Sequence, residues 1–114
     1  MTASDCIFCK VFDKKISAKI EYEDEEILAF YDINPQAPVH LLMIPKKHIE
    51  KMSEMDAKDT PLFGRLIYKA GQIAAQKNWT DYRLIFNNGV EAGQSVFHIH
   101  LHLLSGRKMH WPPG

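Results

Sequence analysis

Two rhythms of apolar and polar positions run along this chain. Residues 19–24, Lys-Ile-Glu-Tyr-Glu-Asp, alternate weakly and read as a strand. Ile27-Leu-Ala-Phe-Tyr31 reads as a second, with the polar Glu25-Glu26 as the turn between them. Asp32-Ile-Asn-Pro-Gln-Ala-Pro38 carries two prolines and an Asn-Pro step, which makes it a loop. Val39-His-Leu-Leu-Met-Ile44 predicts a third strand, stopped by Pro45. The rhythm then changes. Leu62, Phe63, Leu66, Ile67, Ala70, Ile73 and Ala74 recur at helical spacing, so one stripe of a long helix is apolar. Thr60 can cap this helix, Pro61 suits its first position, and Asn78 closes it. Gly64 and Gly71 within it each cost about 1 kcal/mol relative to Ala. Strand spacing returns at Tyr82-Arg-Leu-Ile-Phe86. Residues 87–95 form a glycine-containing loop, residues 96–104 predict a fifth strand, and residues 107–114 an extended tail. The sum is an α+β fold over residues 1–114, a single domain with an antiparallel five-stranded sheet and one principal helix.

Composition narrows the partners. The 114 residues include 14 basic and 14 acidic side chains, so the formal net charge is zero. That argues against an electrostatic nucleic-acid or membrane binder, since both depend on an excess of Lys and Arg. A hydrophobic fraction of 46% is ample for a packed core. No apolar run approaches the roughly 18 residues that span a bilayer. The opening Met1-Thr2-Ala3-Ser4-Asp5-Cys6 does not resemble a signal peptide, so a cytoplasmic, reducing location is expected. The only two cysteines, Cys6 and Cys9, then read as a metal or redox pair rather than a disulfide.

The unusual count is six histidines, three of them in His98-Ile-His-Leu-His102. Strand alternation puts His98, His100 and His102 on one face and Ile99, Leu101 and Leu103 on the other. Three readings stand side by side. The histidines are outward polar positions, or a chelating His-x-His metal site, or a nucleophilic imidazole with a neighbour that fixes its tautomer. Gly93, Gln94 and Ser95 precede the strand and offer backbone N–H groups with little bulk, a possible anion cradle beside which Asn87 adds a polar contact. An imidazole beside a held phosphate is the layout that phosphoryl or nucleotidyl transfer needs.

His98-Ile-His-Leu-His-Leu-Leu104 resembles the His-φ-His-φ-His-φ-φ signature of the histidine triad (HIT) nucleotide-binding family, φ being apolar. Asp32-Ile-Asn-Pro-Gln-Ala-Pro38, Ile44-Pro-Lys-Lys-His48 and Gly93-Gln-Ser-Val96 resemble family segments in the expected order. The tail Gly106-Arg-Lys-Met-His-Trp-Pro-Pro-Gly114 resembles the purine nucleoside phosphoramidase, or Hint, branch.

The resemblance implies a HIT-like fold with a short N-terminal helix and a sheet continued across a homodimer. It implies hydrolysis of purine nucleoside 5′-phosphoramidates through a nucleotidyl-histidine, with release of AMP or GMP. His100 would be the nucleophile, His102 a phosphate contact, and His40 would help keep the reacting nitrogen of His100 unprotonated. Ser95 would protonate the leaving amine. Asn87, Gly93 and Gln94 would contact phosphate, and Asp32 the ribose hydroxyls. Ile7, Phe8, Val11, Phe30 and Ile33 would line the purine slot, and Trp111 would lie near the partner subunit's substrate. Cys6, Cys9, His48 and His98 would bind a structural zinc, with no metal needed for catalysis. The competing activities are a dinucleoside polyphosphate hydrolase using the same His100, and a non-catalytic nucleotide-binding protein.

Overall fold

The computed structural model describes residues 5–114, so the first four residues of the segment read for a leader lie outside the described residues. A short helix α1 (Ile7–Phe12) precedes β1 (Ile20–Glu23), β2 (Ile27–Tyr31) and β3 (Val39–Pro45). Two single 3-10 turns lead into the long helix α2 (Thr60–Gln76), which is followed by β4 (Tyr82–Phe86) and β5 (Leu101–Ser105). The strands form the antiparallel five-stranded sheet that the sequence predicts, and their order in it is β1-β2-β3-β5-β4.

The alternation sorts side chains between two layers. Ile27, Ala29, Leu41, Met43, Leu101 and Leu103 meet Phe63, Leu66, Ala70, Ile73 and Ala74 of α2. On the other face Leu28, Phe30, Leu42 and Ile44 meet Cys6, Phe8, Cys9 and Val11 of the α1 segment. This explains why β2 and β3 are apolar at nearly every position. Both of their faces are covered, whereas β4 at the sheet edge is nowhere fully buried.

Two boundaries differ from expectation. Thr60 is the first helical residue, not the cap. The residue before it, Asp59, makes no capping bond to α2, because its carboxylate accepts from Asp56 N and Lys47 instead. At the other end Asn78 adopts φ 60°, the left-handed conformation that stops a helix.

The larger difference is β5, which begins at Leu101 rather than Val96. Leu101 pairs with both Met43 and Phe86, and the ladders end there. Further along β3 the Pro45 carbonyl lies 2.6 Å from His98 Nε2, so the imidazole ring bonds where a strand amide would. The Ile99 amide turns away to the Ile49 carbonyl. Residues 96–100 are therefore held by ring and loop contacts. The inward–outward alternation persists without the ladder: Ile99, Leu101 and Leu103 join the α2 core, as expected.

Candidate functional site

The histidine face divides at His100. His98 turns toward α1. Its Nδ1 lies 3.4 Å from Cys6 Sγ, 3.6 Å from Cys9 Sγ and 3.1 Å from His48 Nδ1. Cys9 Sγ is also 3.5 Å from His48 Nδ1. Because His98 Nε2–H donates to the Pro45 carbonyl, Nδ1 is left with its lone pair facing the two sulfurs. Burial holds the His98 pKa down to about 4, so the ring stays neutral, the form that ligates metals. Burial, reinforced by Cys6, pushes the Cys9 thiol up to about 12; forming its thiolate in place needs a compensating cation. Cys6, Cys9, His48 and His98 lie close enough to hold a metal ion.

His100 keeps a different proton arrangement. Its Nδ1–H donates to the backbone carbonyl of His98 at 2.8 Å, which leaves Nε2 as the basic nitrogen. Burial lowers its pKa below the ordinary histidine value. This corrects the expected role of His40: the bond that sets the His100 tautomer comes from the His98 carbonyl, and His40 bonds to His102 instead. The reason lies in register. His40 pairs with Leu104 and His102 with Leu42, so the two histidines stand two positions out of register on one face of adjacent strands, and their rings meet diagonally.

His40 itself is locked. The Gln36 amide donates to its Nδ1 at 3.0 Å, so the neutral ring carries its proton on Nε2. That Nε2–H points at His102 Nδ1, 2.9 Å away, with Asp32 Oδ2 at 3.5 Å. His102 Nδ1 then accepts, and its own proton sits on Nε2. That nitrogen is buried and has no hydrogen-bond partner among the described residues. Burial holds the His102 pKa down to about 4 and lowers that of His40 against the pull of Asp32. An orphaned buried donor costs about 1–3 kcal/mol, so its persistence calls for a functional reason. Asp32, His40 and His102 also converge closely enough for a metal. The proton on His40 Nε2 opposes one, because a ring accepting at Nδ1 has no second lone pair to give.

Two concavities meet at these histidines. An apolar pocket of about 250 Å³ is lined by Ile7, Phe8, Val11, Phe30 and Ile33, all five residues expected there, together with His100 and His102. Ile33 stands 97% exposed at its edge. A more polar cleft of about 500 Å³ is lined by Asn87, Gly93, His40 and His102. Asp32, Ser95 and His102 line both. Asp32 also makes the turn that its place before Pro35 suggests, since Oδ1 accepts from Asn34 N at 2.8 Å. Ile16, Ala18, Tyr31, Leu42 and Val96 also line the apolar pocket and escaped the sequence reading, although Leu42 lies two positions from His40 on the same face.

The expected anion cradle needs correction. The Gly93 amide bonds to the Val90 carbonyl and the Gln94 amide to the Gly89 carbonyl, each at 3.0 Å. The Gln94 side chain is buried and bridges Gly89 N, the Glu50 carbonyl and the Val96 carbonyl. Both residues shape the loop and have no hydrogen to offer a phosphate from these groups. Gly93 sits at φ +97°, where a Cβ would also come within 3.7 Å of the Asn87 amide. Trp111 lines neither pocket and is 82% exposed.

Known proteins resemble this chain in sequence and fold. A family model described as scavenger mRNA decapping enzyme C-term binding matches residues 5–111. An uncharacterized HIT-like protein of Synechocystis is 51% identical over 113 residues, which cover 98% of this chain and 99% of that protein. The crystal structure of a HIT family hydrolase from Legionella pneumophila is 47% identical, covers 96% of this chain and 100% of its own, and superposes with a TM-score of 0.94. A histidine triad protein from Clostridium difficile is 38% identical, with 96% and 97% covered and a TM-score of 0.92. Sheet order, histidine face and relatives agree, and the chain belongs to the histidine triad family.

Proposed function

We propose that the protein hydrolyses the P–N bond of purine nucleoside 5′-phosphoramidates. The observation that carries this reading is the pairing at one face of a lone-pair nitrogen, His100 Nε2, with an orphaned N–H, His102 Nε2, where an apolar pocket meets a polar cleft. The pocket takes the purine between Ile33 and Phe8, and Asp32 accepts from the ribose hydroxyls. His100 Nε2 attacks the α-phosphorus as the P–N bond breaks, and His102 Nε2–H donates to a phosphate oxygen. Ser95 passes a proton to the departing nitrogen, which leaves as a neutral amine. Water then attacks the same phosphorus and returns a proton to Ser95, which breaks the P–N bond to His100, releases the nucleoside monophosphate and leaves His100 neutral.

The cysteine–histidine cluster suits zinc. A tetrahedral zinc with Zn–S of about 2.3 Å and Zn–N of about 2.0–2.1 Å holds its ligands about 3.3–3.8 Å apart. The sulfur–nitrogen separations here are 3.4–3.6 Å and the nitrogen–nitrogen separation 3.1 Å. Such an ion would tie α1 to the sheet. We also propose a homodimer formed through β4. This strand is a sheet edge, and the hydroxyl of exposed Tyr82 lies beside Gly71 of α2, one helical turn from exposed Ile67 and Tyr68. A second copy would then bring its Trp111 to the cleft.

Hydrolysis of adenosine 5′-phosphoramidate by purified protein, with His100→Ala as control, tests the activity. Faster cleavage of diadenosine polyphosphates would transfer the assignment to that substrate class. Nucleotide binding without turnover of either would leave a sensor.

A further inference from the structure

The C-terminal tail touches the loop that sets the His40 tautomer. Arg107 Nε–H donates to the Gln36 carbonyl at 3.0 Å, while the same residue's amide, Gln36 N–H, donates to His40 Nδ1 at 3.0 Å. The chain arrives there through Gly106, whose φ of +96° and missing side chain let it lie against Pro38; a Cβ would stand 2.9 Å from that proline's Cβ. Gln36 is fixed a third time by its own side chain, whose Nε2 donates to the Asn34 carbonyl at 3.1 Å. Residues 34–38 are thus clamped from the tail, and the clamp ends on the nitrogen that decides where the His40 proton resides. The consequence runs onward in hydrogen bonds: His40 Nε2–H to His102 Nδ1, and so the proton of His102 onto the orphaned Nε2.

We propose that Arg107 is a positioning residue for the histidine pair. It holds the Gln36 backbone so that His40 keeps its proton on Nε2 and His102 presents an N–H to the bound phosphate. The proposal rests on the phosphoramidase reading for its kinetic effect only; the tautomers themselves need no substrate. Arg107 lies on the exposed tail and touches neither pocket, so its influence passes through Gln36. Asp32, His100 and His102 are the titratable groups that act on His40, and none belongs to the tail.

The experiment is imidazole 15N NMR on the full chain, which reports the protonated nitrogen of each ring. Wild type should show His40 and His102 protonated at Nε2. Arg107→Met should convert His40 to a mixture of tautomers and lower kcat about tenfold with little change in KM, the scale at which supporting hydrogen bonds act. Arg107→Lys should restore most of both signals, since an ammonium can still reach a carbonyl. Gly106→Ala, which keeps the guanidinium and pushes the tail off Pro38, should reproduce the Arg107→Met spectrum. A wild-type His40 protonated at Nδ1, or a folded Arg107→Met protein with an unchanged His40 spectrum, would overturn the proposal. Turnover of a different substrate with the expected tautomers would overturn the phosphoramidase reading and leave this one standing.

Discussion

Among the described residues two clusters of side chains bring their ligand atoms close enough for a metal, and they differ in where their protons lie. In the Cys6, Cys9, His48 and His98 group, the Pro45 carbonyl takes the far proton of His98 and leaves a lone pair facing the sulfurs. In the Asp32, His40 and His102 group, the Gln36 amide takes the far lone pair of His40 and leaves a proton facing inward. One carbonyl and one amide, both backbone, turn chemically identical rings into a ligand in one place and a donor in the other. The second partner of each ring carries the distinction that proximity alone does not.

The contrast can be broken at several points. The largest effect should come from His100, which borders both clusters: His100→Ala should lower phosphoramidate turnover at least about 10⁴-fold while leaving the melting temperature nearly unchanged. The clusters themselves should separate activity from stability. His102→Ala removes the inward donor and should cost about 10²-fold in kcat, measured under saturating substrate. Cys6→Ser should instead lower the melting temperature by about 10 °C, corresponding to about 2–3 kcal/mol, with metal analysis falling from about one zinc per chain to none. If Cys6→Ser retained its zinc while His102→Ala lost it, the two clusters would have been assigned the wrong way round.

A smaller effect is expected from pH. His102 titrates near 6.5 when unfolded and about 4 when folded, a depressed value, so its neutral form is the one folding favours. As pH falls from about 6.5 toward 4, the unfolded chain takes up a proton that the folded chain refuses. Stability should decline by at most about 1.4 kcal/mol per pH unit from this residue. Thermal melts across that range should show the slope in wild type and a shallower one in His102→Ala; parallel slopes would refute the assignment.

Side-chain pattern carried the sheet. Residues 27–31 and 82–86 form strands over the lengths that their apolar runs predict, because each pairs residue for residue along its whole length, the first with β3 and the second with β5. The five residues expected around the purine do share one pocket. What the pattern did not carry was set by the backbone. The early end of the β5 ladder follows from a ring bonding to the Pro45 carbonyl, and the spent amides of Gly93 and Gln94 follow from turns within their loop. The lock on His40 comes from the peptide N–H of Gln36, a group common to every residue except proline, so its placement leaves no mark in the order of amino acids. Histidine spacing identified the face correctly and left open which ring would do what.

His98 answers to two masters through different atoms. Its ring belongs to the cysteine cluster, and its carbonyl fixes the proton of His100. Any side chain at this position supplies the carbonyl, so only the ring demands histidine, while catalysis demands the path the backbone takes there. Thermodynamic reciprocity then binds the two sites together. On the proposed reading, an ion that favoured this path of the chain would strengthen nucleotide binding by some factor, and bound nucleotide would tighten the hold on that ion by the same factor.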